Sequence, residues 1–284
     1  MPHARMRYWR PGAIAALVLL LAAAASAGAQ AAPCGHDSRG FEAWLQQFRA
    51  EAGRQGISGA TLSSALGGVT YDPKVVRLDR SQHSFKLSFE QFYARRVSPQ
   101  KISNGRRLMV THRQTLNRIE KRYGVPAAVL IAIWALETNY GGDTSGHFNI
   151  IRSLATLAYD CRRSPFFRNE LMSALRVIDR GDMSASQMRG GWAGEIGQTQ
   201  FLPSSYFKYA VDFDGDGRRD LVHSVPDLLA STANFLKSHG WNPGQGWGPG
   251  SPNYTVLAQW NKAQVYQRTI AVMAERLGGG TPPS

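Results

Sequence analysis

Apolar residues recur along this chain at helical spacing. Phe41, Trp44, Leu45 and Phe48 fall at i, i+3, i+4 and i+7, one face of a helix that Gly53 and Gly56 end. Ser58 can cap a short helix through Leu62 and Leu66, stopped at Gly67-Gly68. The pattern predicts one long amphipathic helix over 99–123, with Arg106, Arg107, Arg113 and Arg118 on a basic outer face. Pro126 suits a first helical position, and the apolar run Ala127 to Leu136 follows it. Further helices are predicted from Ser164-Pro165 to Asp179, from a capping box at Ser224-Val225-Pro226-Asp227 to His239, and over 263–277. There is no sustained period-two alternation and no internal repeat. The predicted fold class is therefore mainly α, with irregular segments near 190–201 and 212–220 and a Gly/Pro/Trp-rich loop over 240–252.

The N-terminus breaks this pattern. Arg5, Arg7 and Arg10 precede an unbroken small, apolar run from Ala13 to Ala25, and Ala25-Ser26-Ala27 follows. That order predicts a cleaved secretory signal over 1–27, too short to anchor in a bilayer. A linker over 28–39, a catalytic domain over 40–277 and a flexible tail over 278–284 complete the expected organisation. Pro33 before Cys34 does not fit a lipidation signal, so a soluble, exported protein is expected. In an oxidising compartment Cys34 and Cys161 are expected to form one disulfide, two unrelated buried thiols being the alternative.

Composition narrows the classes further. At 43% apolar residues the chain is not disordered, and two cysteines cannot build a four-thiolate zinc site. Loss of the signal removes three arginines and no acid, lowering the formal charge from +13 to +10. Outside the cytoplasm nucleic acid is not an expected partner. Such a charge serves attraction to anionic envelope polymers, or solubility alone.

Candidate chemistry centres on residues 125–142. Glu137 is the first charged residue after ten apolar ones, near the end of a helix that Gly141-Gly142 should stop. Burial disfavours its ionised form, and so does the negative end of the helix dipole. A carboxylic acid kept protonated at an apolar wall can donate to a leaving oxygen. An ordinary exposed helix-end glutamate is the alternative.

A second segment runs from Gly190 to Tyr206. Trp192, Phe201 and Tyr206 offer faces for stacking on a sugar, and Gln198, Gln200, Ser204 and Ser205 offer uncharged hydrogen bonds. A structural turn around a buried Trp reads equally well. Glu195 is the acid here that could serve as second carboxylate of a two-acid glycosidase.

Glu137-Thr138-Asn139-Tyr140-Gly141, followed by Gly197-Gln198-Thr199-Gln200-Phe201-Leu202-Pro203-Ser204-Ser205-Tyr206, resembles the lytic murein transglycosylase B family of lysozyme-like cell-wall enzymes. Leu154 to Ala158 and Ala233 to Trp241 agree, so the resemblance spans about 41–277. It implies a lysozyme-like catalytic core with an additional helical lobe. It also implies cleavage of the β-1,4 bond between N-acetylmuramic acid and N-acetylglucosamine in peptidoglycan. One glutamate, here Glu137, would act as acid and then as base toward the C6 hydroxyl of the same ring, leaving a 1,6-anhydro end. The resemblance places Gln200 in the sugar site and Trp260, Asn261 and Tyr266 as its closure, with Tyr140, Gln198, Phe201 and Tyr206 counted among the substrate-binding residues. A periplasmic monomer acting on glycan strands, with no stable membrane insertion and no catalytic cofactor, is the expectation. A hydrolytic muramidase and a non-catalytic peptidoglycan-binding protein are the alternatives.

A third feature is an EF-hand-like loop. Asp212, Asp214 and Asp216 stand at positions 1, 3 and 5, Gly217 at 6, the Arg218 carbonyl at 7 and Asp220 at 9. Position 12 is His223, so the usual glutamate is missing, and Asp227 is the expected substitute. A structural Ca2+ fits this spacing; an acidic turn balanced by Arg218 and Arg219 is the alternative. No H-E-x-x-H, phosphate loop or nucleophile elbow is present, and His112 and His147 read as surface or locally bonded residues.

Overall fold

The computed structural model of this protein describes residues 33–82, 87–143 and 148–278. The expected signal over 1–27, residues 28–32 of the linker, residues 279–284 of the tail and His147 lie outside the described residues. The described chain is mainly helical. It begins with α1 (Phe41–Arg54), α2 (Gly59–Leu66), α3 (Pro73–Arg80) and α4 (Phe89–Arg96), then α5 (Pro99–Thr111), α6 (Arg113–Tyr123) and α7 (Ala127–Thr138). After β1 (Phe148–Asn149) come α8 (Ile150–Tyr159), α9 (Ser164–Asp179) and β2 (Arg189–Gly190). The last elements are α10 (Pro203–Tyr209), α11 (Val225–Ser238), α12 (Pro252–Trp260) and α13 (Gln264–Leu277). The two strands pair antiparallel, Phe148 opposite Gly190.

Helix α7 organises the core. Every residue from Ala128 to Leu136 is buried. A helix apolar on all sides must be covered on all sides, and α5, α6, α11 and α13 pack on it. Each fully buried Leu or Ile of this helix contributes roughly 1.5–3 kcal/mol. That burial carries Glu137, at the helix end, into the body of the protein.

The expected additional lobe shares this core. Phe41, Trp44 and Phe48 of α1 stack along one face, and Phe41 meets Tyr71 and Tyr159 edge-on at 5.8 and 5.6 Å. Ser58, the cap of α2, donates through Oγ to the Asp179 carboxylate at 2.5 Å, and Thr61 Oγ1 donates to the same oxygen at 2.7 Å, tying α2 to α9. Cys34 and Cys161 form the expected disulfide, with Cα atoms 5.0 Å apart.

Several local expectations change. The single helix over 99–123 is two, broken at His112 (φ −100°, ψ 17°). Both halves touch α7, but α5 packs chiefly on α7 and α13 and α6 chiefly on α11, and the break lets each follow its own main neighbour. His112 is half-buried, its ring edge-on to Trp134 at 6.3 Å. Ser224 Oγ accepts from the Asp227 N–H at 3.2 Å, but the Asp227 carboxylate accepts from Phe213 and Asp220 instead of closing the capping box. Helices α3, α4, α10 and α12 are too short for a period to emerge from sequence, and α8 is buried around most of its surface.

Candidate active site

The end of α7 sets the geometry. Asn139 (φ 50°) and Tyr140 (φ 60°) both take left-handed backbone, so they stop the helix before the glycine pair expected to do so. Two adjacent non-glycine residues in that region cost on the order of 1–3 kcal/mol each. Tertiary bonds hold them there. The Tyr140 hydroxyl donates to the Lys101 carbonyl at 2.7 Å, and Thr138 Oγ1 donates to the Gln198 carbonyl at 2.6 Å.

Glu137 is half-buried and lines a cavity of about 410 Å³. Trp260 Nε1 donates to its Oε1 at 2.9 Å and the Tyr266 hydroxyl donates to the same oxygen at 2.8 Å. The described donors thus converge on one oxygen. Burial pushes the Glu137 carboxyl above the ordinary carboxylate range. The Trp260 and Tyr266 bonds and the Arg96 charge pull it back, while the Glu195 charge adds to the rise. Arg96, at the end of α4, also donates to the Leu136 carbonyl, so a cation sits on the backbone beside the acid.

The walls come from two other segments. Gln200, Phe201 and Ser205 line the cavity from the loop into α10, and Trp260 and Asn261 from the end of α12. Phe201, Phe235 and Trp260 form an edge-to-face trio with centroids 5.1–6.0 Å apart. Glu195 lines the same cavity. A larger cavity of about 840 Å³, between the 181–189 loop and residues 218–223, shares no lining residue with this one.

Of the residues singled out in the sequence, the structure gathers Glu137, Gln200, Phe201, Trp260 and Asn261 around this cavity, with Tyr266 behind the acid. Gln198, Tyr140, Tyr206, Ser204 and Trp192 do not line it. Gln198 is a strap: its Oε1 accepts from Trp134 Nε1 at 2.9 Å and its Nε2 donates to the Val222 carbonyl at 2.7 Å, using both ends of the amide. A Cβ at Gly141 would lie 2.2 Å from that Oε1, so the close approach requires glycine. Tyr206 is fully buried and donates to the Arg219 carbonyl, and Tyr140 bonds to α5 as described. Ser204 is also structural, its N–H and Oγ both donating to the Glu170 carboxylate at 2.9 and 2.7 Å. Sequence reasoning missed Arg96 and Phe235 as neighbours of the acid; no spacing near Glu137 signals either.

In the acidic loop, Asp212, Asp214 and Asp227 each bring a carboxylate oxygen within 4.8 Å of the others. Asp227 is fully buried, and burial pushes its carboxyl up. Asp216 and Asp220 stand outside this trio, contrary to the spacing. Asp216 accepts from the Arg218 N–H at 2.8 Å, and Asp220 Oδ1 from the Val222 and His223 N–H groups, both at 2.8 Å.

Comparison with known proteins gives the same family by independent routes. Residues 40–251 match the transglycosylase SLT domain. Membrane-bound lytic murein transglycosylase B of Escherichia coli (strain K12) is 36% identical over 165 residues, 55% of this chain and 45% of that protein, so the match spans less than half the relative's length. SltB3 of Pseudomonas aeruginosa, solved in complex with NAG-NAM-pentapeptide, superposes with a TM-score of 0.79 at 34% identity, over 84% of this chain and 80% of that one. The same enzyme has been solved with NAG-anhNAM-pentapeptide, and superposes with a TM-score of 0.78, again at 34% identity and over 84% and 80% of the two chains. Slt35 of Escherichia coli, solved in complex with calcium, shares the fold with a TM-score of 0.73 at 24% identity, over 87% of this chain and 96% of that one.

Proposed function

Because this chain belongs to the transglycosylase SLT domain family, we propose that it is a lytic transglycosylase that cleaves the β-1,4 bond between N-acetylmuramic acid and N-acetylglucosamine in peptidoglycan. The observation that carries the reading is the Glu137 carboxyl: it lines a cavity, two side-chain donors fix one of its oxygens, and burial raises its proton affinity. The acid donates its proton to the glycosidic oxygen as the bond to the anomeric carbon breaks. The resulting carboxylate takes the proton of the C6 hydroxyl as that oxygen closes on the anomeric carbon. Protons balance, the acid is restored, and the product ends in a 1,6-anhydro ring. The nucleophile is part of the substrate, so proximity replaces activation of water and no catalytic cofactor is required.

Gln200, Phe201, Trp260 and Asn261 form the sugar-binding wall in this reading, and Tyr266 positions the acid. Arg96 beside Leu136 offsets the negative helix end. A hydrolytic muramidase is the second reading, favoured by one observation: Glu195 shares the cavity with Glu137. Mass spectrometry of cell wall digested by the protein separates the two. Anhydro ends are expected; reducing ends alone would transfer the assignment to the muramidase, and no cleavage would leave only a binding protein.

The catalytic domain in this proposal is 40–277, acting as a monomer on glycan strands in the periplasm after loss of 1–27 and without a lipid anchor. The disulfide supports export. Among the described residues no helix is long and apolar enough to cross a membrane.

A structural Ca2+ at the acidic loop belongs to the same proposal. Asp212, Asp214 and Asp227 offer the hard oxygen donors such an ion takes, and three carboxylates this close repel without a cation. Millimolar calcium is expected to raise the Tm of chelator-treated protein by a few degrees, by mass action. An unchanged Tm removes the site. Turnover at 25 °C should change little, since these aspartates do not line the catalytic cavity.

A further inference from the structure

We infer that, within the lytic reaction proposed above, Glu195 is a second catalytic residue: its carboxylate stabilises the positive charge that develops at the anomeric carbon, and it does not activate water. The inference rests on where the loop puts this side chain and how it is held. Glu195 and Glu137 reach one cavity of about 410 Å³ from different elements, the loop after β2 and the end of α7. A sugar bound against Trp260 and Gln200 would lie within reach of both.

The loop is shaped around the Glu195 carboxylate. The Gly191 N–H donates to the Glu195 carbonyl at 2.9 Å, closing the turn, and the Ala193 N–H donates to Oε2 at 3.1 Å. Gly194 takes φ +101°, which L side chains rarely adopt. At Gly191 a Cβ would fall 2.1 Å from Oε2 and 3.0 Å from Cδ, so only a residue without a side chain leaves the carboxylate its seat. Sequence spacing alone could not distinguish this arrangement from a plain glycine turn.

Chemistry assigns the roles. A backbone N–H bonded to a carboxylate favours its charged form and makes it a weaker base. Burial pushes the Glu195 carboxyl above the ordinary carboxylate range, and its own and the Ala193 backbone N–H groups and the Arg163 charge pull it part of the way back. Glu137 is held by side-chain donors, with no described backbone donor; those bonds also favour its charged form, and burial outweighs them. Both carboxyls are raised by burial, but the Glu195 charge adds to the rise at Glu137, so of the two Glu137 holds a proton more readily and Glu195 carries the charge more readily. A fixed negative charge beside an oxocarbenium-like centre stabilises the transition state more than the neutral ground state.

Glu195→Gln keeps the shape and an oxygen for the Ala193 N–H and removes the charge. Its kcat on purified glycan is expected to fall by about 10²-fold, the scale of one lost electrostatic contact, with KM nearly unchanged and the product still anhydro-ended. Gly191→Ala, which changes no charge, is expected to lower kcat in the same direction by displacing the carboxylate. Thermal scans establish that each variant is folded; should one not fold, the other decides. Wild-type kcat in a folded Glu195→Gln or Gly191→Ala protein overturns the inference. So does a selective loss of reducing-end products in Glu195→Gln, which would make Glu195 a base for water. Absence of anhydro product from the wild-type protein is a separate outcome and counts against the lytic reading itself.

Discussion

Glu137→Gln is expected to abolish glycan cleavage, with a loss of at least about 10³-fold, because one side chain supplies both proton transfers. The substitution is conservative in shape. Its amide oxygen can still accept from Trp260 Nε1 and the Tyr266 hydroxyl, the two bonds that now converge on Oε1. The fold should therefore survive, and stability should move the other way from activity. Burial holds the folded Glu137 carboxyl above its unfolded value. A raised carboxyl contributes stability at pH below the unfolded value, and that contribution is lost as pH rises through the folded one. Glutamine does not titrate, so its Tm advantage over the wild type should widen as pH increases. The wild type should also lose activity on the alkaline side as its acid form disappears. Muropeptide mass spectrometry and thermal scans across pH test both halves; retained turnover in Glu137→Gln would refute the assignment of the acid.

Breaking the Cys34–Cys161 disulfide is expected to have the largest effect on stability. The bridge spans 127 positions, and in the chain-entropy model a loop of that length is worth roughly 4–5 kcal/mol. For a domain of this size that corresponds to a Tm drop on the order of 10 °C. Geometry supports a full contribution, since the Gly35 N–H next to the bridge donates to the Tyr159 carbonyl at 2.9 Å and the strap is seated on α8. The cavity shares no residue with the bridge, so Cys34→Ser at 25 °C should keep near-normal kcat while melting earlier. Scans with and without reductant measure the difference. Equal melting temperatures would mean that the strap frays without constraining the chain.

Much of the fold is legible because its causes are local. Ser58 caps α2 as its position predicts, accepting from the Thr61 N–H, and α9 begins and ends at Ser164 and Asp179 as the pattern reads. The apolar run before Glu137 dictates a buried helix, and the burial dictates the direction of its proton affinity. The break at His112 was not legible, because it arises from two packing partners that sequence neighbours do not encode. Nor was the fate of Gln198, whose composition fits a ligand loop but whose amide is used up by Trp134 and Val222. Polar side chains around a glycine-rich turn look alike in sequence whether they meet a sugar or a carbonyl.

By itself the sequence determined that this protein is mainly helical, that Glu137 ends an apolar helix and that two cysteines can pair, and its motifs resemble those of lytic transglycosylases. Those properties follow from periodicity, composition and short motifs, which act over a few residues. Tertiary structure alone decided that Trp260 and Tyr266 hold one oxygen of that acid, that Glu195 shares its cavity, and that Asp216 and Asp220 stand outside the acidic trio that Asp227, expected from the sequence, completes. Each depends on residues brought together from distant parts of the chain. Their separation is set by how helices pack, and packing is a property of the whole core.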